Sequence, residues 1–347
     1  MTIDATNPVS GDGTDRRGRD DFRRRVNRMV RRIPELGIFS TLVLLVGVFS
    51  IGAANFRTVD SYTSILTVAA NVGIVALGCG FLMISGEFDI SVGSVYLIAT
   101  LFFAQMANAG LIPPLAFLVT LILCAVIGLV NGLITVNLRI PSFIVTLAAM
   151  MFYRGLHIIL TRGFSVSYKA DKEFLNMVAG ITFSLMRNTV IWWILLAIIL
   201  QVVLAKTRYG NWVLATGGDA QAARNSGVPV SRVKVINFAL CSLLAGFAGA
   251  ANMARFLTSQ SQLGMGMEFE AITAAVIGGT LLMGGKGSMV GAVLGAIFVS
   301  VIRSGLIFFG YSSYIYMPVT GIILMLAVII NRGFSNFRLL QFQRSDA

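Results

Sequence analysis

The sequence predicts an all-α integral membrane protein: a polytopic bundle of about 8–10 transmembrane helices with both termini on the cytoplasmic side. Only 12% of the residues are charged and 56% are hydrophobic, whereas soluble domains carry about 25% charged residues. Apolar runs long enough to cross a bilayer recur along nearly all of the 347 residues. Positive charge is concentrated just before the first of these runs, which is typical of a cytoplasmic N-terminus.

Residues 1–33 are expected to be a disordered, basic cytoplasmic tail. They are polar, lack periodic apolar positions, and are too long and too acidic to be the leader of a cleaved signal peptide. The net charge of +12 would also suit a nucleic-acid partner, but its position beside a membrane run argues for contact with anionic lipid head groups instead. The arginines of this tail are Arg16, Arg17, Arg19, Arg23, Arg24, Arg25, Arg28, Arg31 and Arg32.

The apolar runs predict up to ten spans between residues 34 and 331. Their approximate limits are 36–54, 65–84, 92–108, 115–136, 143–160, 189–205, 235–254, 272–283, 289–304 and 314–330. Ten crossings return the C-terminal tail, 332–347, to the cytoplasm, where its arginines satisfy the positive-inside rule. The eighth and ninth spans are short and glycine-rich, so either could be re-entrant or broken.

The connections between these spans are expected to be irregular. Residues 55–64 are expected to form an external loop, and Pro113 and Pro114 a turn that leads into the fourth span. Residues 161–188 form the longest external stretch.

A polar segment at 209–234 separates the sixth and seventh spans. Its charged residues exclude it from hydrocarbon: Asp219, Arg224, Arg232 and Lys234. Asp219 is a good N-cap, the next six residues are mostly helix formers, and Gly227 suits a left-handed C′ position. Pro229 prevents the helix from continuing. One short rigid helix is therefore expected, which could pass force to a soluble partner. The alternative is an ordinary cytoplasmic loop.

The sequence SGEFDISVGS follows the second span. Gly86 and Gly93 permit a tight turn, Ser91 is expected to cap the third span, and Asp89 to sit at its positive N-terminal end. A simple helix–turn–helix explains the glycines and the serine, but it explains the pair of Glu87 and Asp89 less well.

No catalytic or metal-binding constellation is visible, and no cofactor is expected. The single histidine, His157, is near the end of a span, and the three cysteines lie inside apolar runs, without disulfide or metal spacing. The sequence GGTLLMGGKGS suggests a phosphate-binding loop, but Thr280 and Gly287 stand where that motif needs glycine and Ser or Thr. The chain itself should therefore not hydrolyse ATP.

The predicted spans have neutral polar residues in their middles and acidic residues at their ends. The neutral residues are Asn71, Asn131, Asn237 and Thr273; the acidic ones are Glu87, Asp89, Glu268 and Glu270. Each neutral residue alone is explained by hydrogen bonding between helices. Together they would suit a path for a neutral, hydroxyl-rich solute. The candidate path or gating residues are Asn71, Glu87, Asp89, Ser91 and Asn131.

A weak internal repeat relates ALGCGFLMISG, which begins at Ala76, to VIGGTLLMGG, which begins at Val276. Gly78 matches Gly278, Leu82 matches Leu282 and Met83 matches Met283, followed by a Gly-Ser pair in both. Both segments are predicted to cross in the same direction, as in a parallel repeat. Chance similarity between glycine- and leucine-rich helices is the alternative.

Five stretches together resemble the permease subunits of bacterial ATP-binding-cassette importers of the ribose/xylose/simple-sugar group, and more distantly branched-chain amino-acid permeases. They lie at 85–94, 131–156, 209–234, 243–256 and 269–296. The resemblance implies a bacterial inner-membrane subunit that pairs with a second permease, identical or not. It also implies a separate ATPase on the cytoplasmic side, a periplasmic substrate-binding protein, and a small-molecule sugar as solute.

In that family, the segment similar to GGDAQAARNSG is the coupling helix that fits a cleft of the ATPase. The corresponding residues are Gly217, Gly218, Asp219, Ala222, Ala223, Arg224, Ser226 and Gly227. Ala222 and Ala223 are expected to pack against the ATPase. SGEFDIS departs from the Gly-Gly-Ile-Asp pattern of many sugar permeases and leaves the solute open. The alternatives are a branched-chain amino acid or nucleoside permease, or a stand-alone carrier or channel.

Overall fold

The computed structural model of the chain describes residues 35–182 and 186–329. The predicted tails at 1–33 and 332–347 lie outside the described residues. The helices are α1 Glu35–Gly52, α2 Val59–Ile84, α3 Val92–Asn108, α4 Pro113–Leu138, α5 Ser142–Thr161, α6 Glu173–Ala179, α7 Asn188–Lys206, α8 Arg208–Gly218, α9 Ala220–Asn225, α10 Val230–Phe256, α11 Met267–Ile277, α12 Met289–Phe308 and α13 Tyr316–Ile329.

Strands are almost absent from this described part. Four two-residue strands form two antiparallel pairs: β1 Val166–Ser167 with β4 Thr258–Ser259, and β2 Ile181–Thr182 with β3 Met186–Arg187. Single turns of 3₁₀ helix occupy Ala54–Arg57 and Ser313–Ile315.

The prediction of a polytopic helical membrane protein is confirmed. Within residues 35–182 and 186–329, six helices are long and apolar enough to cross a bilayer: α2, α4, α5, α7, α10 and α12. Three shorter apolar helices, α1, α3 and α13, accompany them. Of the two spans expected to be short or broken, the ninth is a continuous helix of 20 residues.

The eighth predicted span, 272–283, is short, as expected, but both of its limits are wrong. The helix there, α11, begins at Met267 and ends at Ile277, so at 1.5 Å per residue it is only about 16 Å long, half of a membrane crossing. Beyond it, Gly279, Gly284 and Gly285 all have positive φ, a conformation that ends a helix and that glycine adopts without penalty. Hydropathy missed this end because the loop is as apolar as a helix.

Several other boundaries differ from the expectations for local reasons. The loop expected at 55–64 is partly helical, because Thr58 caps α2 by accepting a hydrogen bond from the Ser61 N–H (3.2 Å). Pro113 and Pro114 form the first turn of α4 rather than a preceding turn; prolines are tolerated there because the first helical N–H groups need no partner. The long stretch at 161–188 contains α6 and three of the short strands.

Helices α2 and α10 form the centre of the bundle, and small residues let their neighbours approach closely. A Cβ on Gly128 of α4 would lie 2.2 Å from the Phe238 carbonyl oxygen of α10. A Cβ on Gly249 of α10 would lie 2.2 Å from the Tyr96 carbonyl oxygen of α3. This is the small-residue packing common between membrane helices.

Candidate functional site

Helix α9 is closed at both ends by its own residues. The Asp219 carboxylate accepts hydrogen bonds from the N–H groups of Gln221 and Ala222, each at 2.9 Å. At the other end Gly227 has φ 81°, its N–H donates to the Arg224 carbonyl (2.9 Å), and the Val228 N–H donates to the Ala223 carbonyl (3.0 Å). This is a Schellman cap. The predicted short helix, its N-cap and its left-handed glycine are confirmed.

Ala222 and Ala223 of α9, the pair expected to contact an ATPase, differ in exposure. Ala222, Arg224 and Ser226 are exposed, whereas Ala223 is only 5% exposed and packs against the rest of the chain. Because this chain itself buries Ala223, Ala223 is not available to a partner in this conformation, although it is adjacent to Ala222. Of the pair expected to pack against an ATPase, the structure leaves Ala222 accessible.

A further helix, α8, precedes α9 and was not predicted. The Tyr209 hydroxyl donates to Asn237 Oδ1 of α10 (2.6 Å), and its ring stacks on Phe81 of α2. Burial raises the pKa of the Tyr209 phenol, so the hydroxyl remains protonated and keeps donating at physiological pH. Helix α8 is thereby held against two central helices of the bundle.

Gly217, near the end of α8, lies where three segments meet. The Gly285 N–H donates to the Ile84 carbonyl oxygen at 2.9 Å, and a Cβ on Gly217 would lie 1.8 Å from that oxygen and 2.5 Å from the Gly285 nitrogen. We call these three residues, Gly217, Ile84 and Gly285, the backbone junction. The neighbouring Gly218 is exposed, and a Cβ on it would meet no atom of the described residues within 4 Å. The two glycines expected to couple to an ATPase therefore have different surroundings.

An ion pair makes a second link between the turn after α2 and the 209–234 segment. Lys234 Nζ lies 2.5 Å from Glu87 Oε1, with both side chains mostly buried. Beside the pair is a cavity of about 270 Å³ whose lining includes Arg139, Ser142 and Arg224. The Ser142 hydroxyl accepts a hydrogen bond from the Phe88 N–H (3.3 Å).

Three of the predicted path residues form one buried cluster. Asp89 Oδ1 accepts hydrogen bonds from the Ser91 N–H (2.8 Å) and the Ser91 hydroxyl (2.6 Å), and Asn131 Nδ2 donates to Ser91 Oγ (3.1 Å). Ser242 of α10 joins the cluster by donating to Asp89 Oδ2 (3.3 Å); the sequence offered no signal for it.

The expected capping role of Ser91 is wrong. Its side chain makes no hydrogen bond to the first N–H groups of α3, because its hydroxyl is directed to Asp89 two residues earlier.

Asn71, the remaining candidate in the middle of a span, lies apart from this cluster, roughly 20 Å along α2 from Ile84. Its buried Oδ1 has no hydrogen-bond partner in the described part of the chain.

Charged side chains that were expected at span ends lie inside the bundle. Glu268 and Glu270 are buried in the first turn of α11. Arg303 Nη1 of α12 lies 3.4 Å from both Glu270 carboxylate oxygens, and its guanidinium stacks over Tyr316. Arg154 of α5 donates to the carbonyl oxygens of Ser261 and Gly264, each at 3.4 Å. Arg154 and Arg303 lie inside predicted spans, where charged residues usually mark a functional or buried polar site; this signal was present in the sequence and was missed.

Comparison with known proteins places these features in a family. Residues 61–328 match the family model described as branched-chain amino acid transport system / permease component. The chain is 34% identical to the ribose import permease of Bacillus subtilis over 298 residues, covering 86% of this chain and 92% of that protein.

Two other relatives are the ribose import permease of Escherichia coli K12 and the autoinducer 2 import permease of Photorhabdus luminescens. The first is 33% identical, covering 84% of this chain and 91% of that protein; the second is 30% identical, covering 88% and 92%. No solved structure matches significantly. These matches confirm the resemblance predicted from the five sequence stretches.

Proposed function

The chain belongs to the family described as branched-chain amino acid transport system / permease component, and from this we propose that it imports a sugar as the membrane subunit of an ATP-driven transporter. It is a multi-pass protein of the bacterial inner membrane. The observation that carries the proposal is its similarity, over 84–86% of its length, to two permeases named for ribose import.

We further propose that 209–234 is the cytoplasmic coupling segment of a membrane domain spanning 34–331. The exposed residues of α9 and its C-cap, Ala222, Arg224 and Ser226, would contact a separate ATPase. A short helix whose terminal N–H and C=O groups are hydrogen-bonded by caps should keep its conformation when the ATPase moves against it. The N- and C-terminal tails would lie on the same side, following the positive-inside rule.

At the opposite end a periplasmic binding protein would deliver the solute, and a second permease subunit would complete the path. The cluster of Asp89, Ser91 and Asn131 would gate that path, since it ties the turn after α2 to α4 and α10. Glu87 connects the same turn to the coupling segment through Lys234.

The test is reconstitution in vesicles of this chain with its co-encoded ATPase and binding protein. We expect ATP-dependent uptake of D-ribose or a related sugar, and hydrolysis stimulated by the loaded binding protein. Uptake of leucine or a nucleoside in place of sugars would contradict the sugar assignment. Uptake by this chain alone, without ATPase or ATP, would identify a carrier or channel instead.

The coupling face is tested by Ala222→Trp. Overfilling a fitted contact costs about 1–3 kcal/mol, so uptake should fall about tenfold while the chain still inserts and dimerises. Ala205→Trp on α7 is the matched control, since Ala205 is also an exposed alanine and lies outside the coupling segment. Wild-type coupling in Ala222→Trp would show that α9 is an ordinary loop helix.

A further inference from the structure

Two arginines lie deep within membrane helices and are partly exposed. Arg154 lies roughly 18 Å along α5 from Ser142, and Arg303 roughly 21 Å along α12 from Met289. The Arg303 side chain is 42% exposed, and α5 is among the least buried of the spans. A guanidinium within a span usually faces the bundle interior or a water-filled cavity, which favours water or protein over lipid at the surface that carries these two residues.

The non-helical residues 257–266 lie beside Arg154, which donates to two of their carbonyl oxygens. Ser259 bonds Thr100 of α3 (2.6 Å), and Gly264 reaches the first turn of α3, where its Cβ would lie 2.2 Å from the Gly93 carbonyl oxygen. Non-helical backbone at membrane depth is tolerated only when it is buried in protein or lines a water-filled cavity. Gln260 and Gln262 are exposed, which favours the water-filled cavity.

Helix α11 begins where this loop ends, and one carboxylate oxygen there lacks a hydrogen-bond donor in the described part of the chain. Glu268 is 5% exposed, and its Oε2 has no hydrogen-bond donor among the residues that the structure describes. It lies against Gly93, whose Cβ would come within 2.4 Å of it. A buried carboxylate oxygen is costly unless a donor reaches it, and a bound solute could supply one.

We propose that Arg154, residues 260–262, Glu268, Glu270 and Arg303 form a recognition face for a neutral, polyhydroxylated solute in the translocation path. The proposal rests on the sugar-import function and adds the residues that would form hydrogen bonds with the solute. Guanidinium groups donate pairs of hydrogen bonds and carboxylates accept them, which matches neighbouring hydroxyls of a sugar. Two arginines and two glutamates give the face both hydrogen-bond donors and acceptors, as recognition of hydroxyl groups requires.

The test uses the complete importer in vesicles, with D-ribose as the probe and two readouts: solute imported per ATP hydrolysed, and hydrolysis stimulated by the loaded binding protein. Glu268→Gln should lower the first about tenfold or more, as expected for loss of a matched hydrogen-bonding group, and leave the second unchanged. The preference for ribose over 2-deoxyribose should also shift. Glu173→Gln, an exposed acid on α6, is the control and should match the wild type.

Gln262→Ala is the second variant, because this exposed side chain can be removed without disturbing the core. It should lower import per ATP several-fold even if Glu268→Gln does not fold. The recognition face would be overturned by unchanged import per ATP and unchanged sugar preference in Gln262→Ala, or in a folded Glu268→Gln. It would also be overturned if the wild-type importer transported leucine better than ribose. If the wild-type importer moves no sugar at all, the proposed function itself fails, which is a separate result.

Discussion

The two segments of the internal repeat have similar sequences but different structures. At 76–84 the chain is helical to the end of α2, and Met83 is 1% exposed. At 276–285 the helix stops after Ile277, and Met283 is 87% exposed in the loop that follows. The shared Gly, Leu and Met positions therefore do not decide the local structure.

The unshared positions decide it. Gly279, Gly284 and Gly285 stand where the first segment has Cys79, Ile84 and Ser85, and all three glycines have positive φ. That conformation is strained for residues with a Cβ. The glycines thus end α11 early, and the resulting loop reaches the end of α2 and joins the backbone junction through Gly285.

The largest effect is expected at the place where both repeat segments meet the coupling segment. Gly217→Val would force side-chain atoms into the Ile84 carbonyl, which a Cβ alone would approach to 1.8 Å. We expect no monodisperse protein by size-exclusion chromatography in detergent. Gly218→Val is the matched control and should purify normally, because a Cβ there meets nothing within 4 Å. A stable Gly217→Val would mean that the three segments separate easily.

An intermediate effect is expected from the paired methionines. Met83→Ala should destabilise the protein by about 2–5 kcal/mol, since it leaves a cavity in the core. Met283→Ala should change stability by no more than about 0.5 kcal/mol, as surface substitutions do. Thermal unfolding in one detergent measures both. Equal losses of stability in the two variants would show that Met83 and Met283 are packed alike, which would contradict the structural difference between the two segments.

The smallest effect on stability is expected at the ion pair, a link that the described structure gives to the first segment only. Glu87→Gln should cost about 1–2 kcal/mol, because glutamine keeps an oxygen that can accept a hydrogen bond from Lys234 and the pair borders a cavity. It should still lower coupled uptake, because the turn after α2 loses its ionic tie to Lys234. The exchange Glu87→Lys with Lys234→Glu should restore part of the uptake. If the single variant transports normally, the backbone junction alone connects the segments.

Local features were predictable from the sequence, and tertiary ones were not. The N-cap, the left-handed glycine and the proline of α9 act within ten residues, so its limits followed directly. The end of α11 was missed because hydropathy does not report φ. Ser91 failed as a cap because Asp89 competes for its hydroxyl. The burial of Glu268 depends on Gly93, more than 150 residues away in the chain.

The backbone junction has one mechanical consequence. A contact between long side chains can absorb a small displacement, because the side chains can change rotamer while the backbones stay in place. Gly217 and Gly285 have no side-chain torsions, and the bond from Gly285 to Ile84 joins main chain to main chain. If the ATPase moves α8 by a fraction of an ångström, the ends of both repeat segments must move with it or the junction must break.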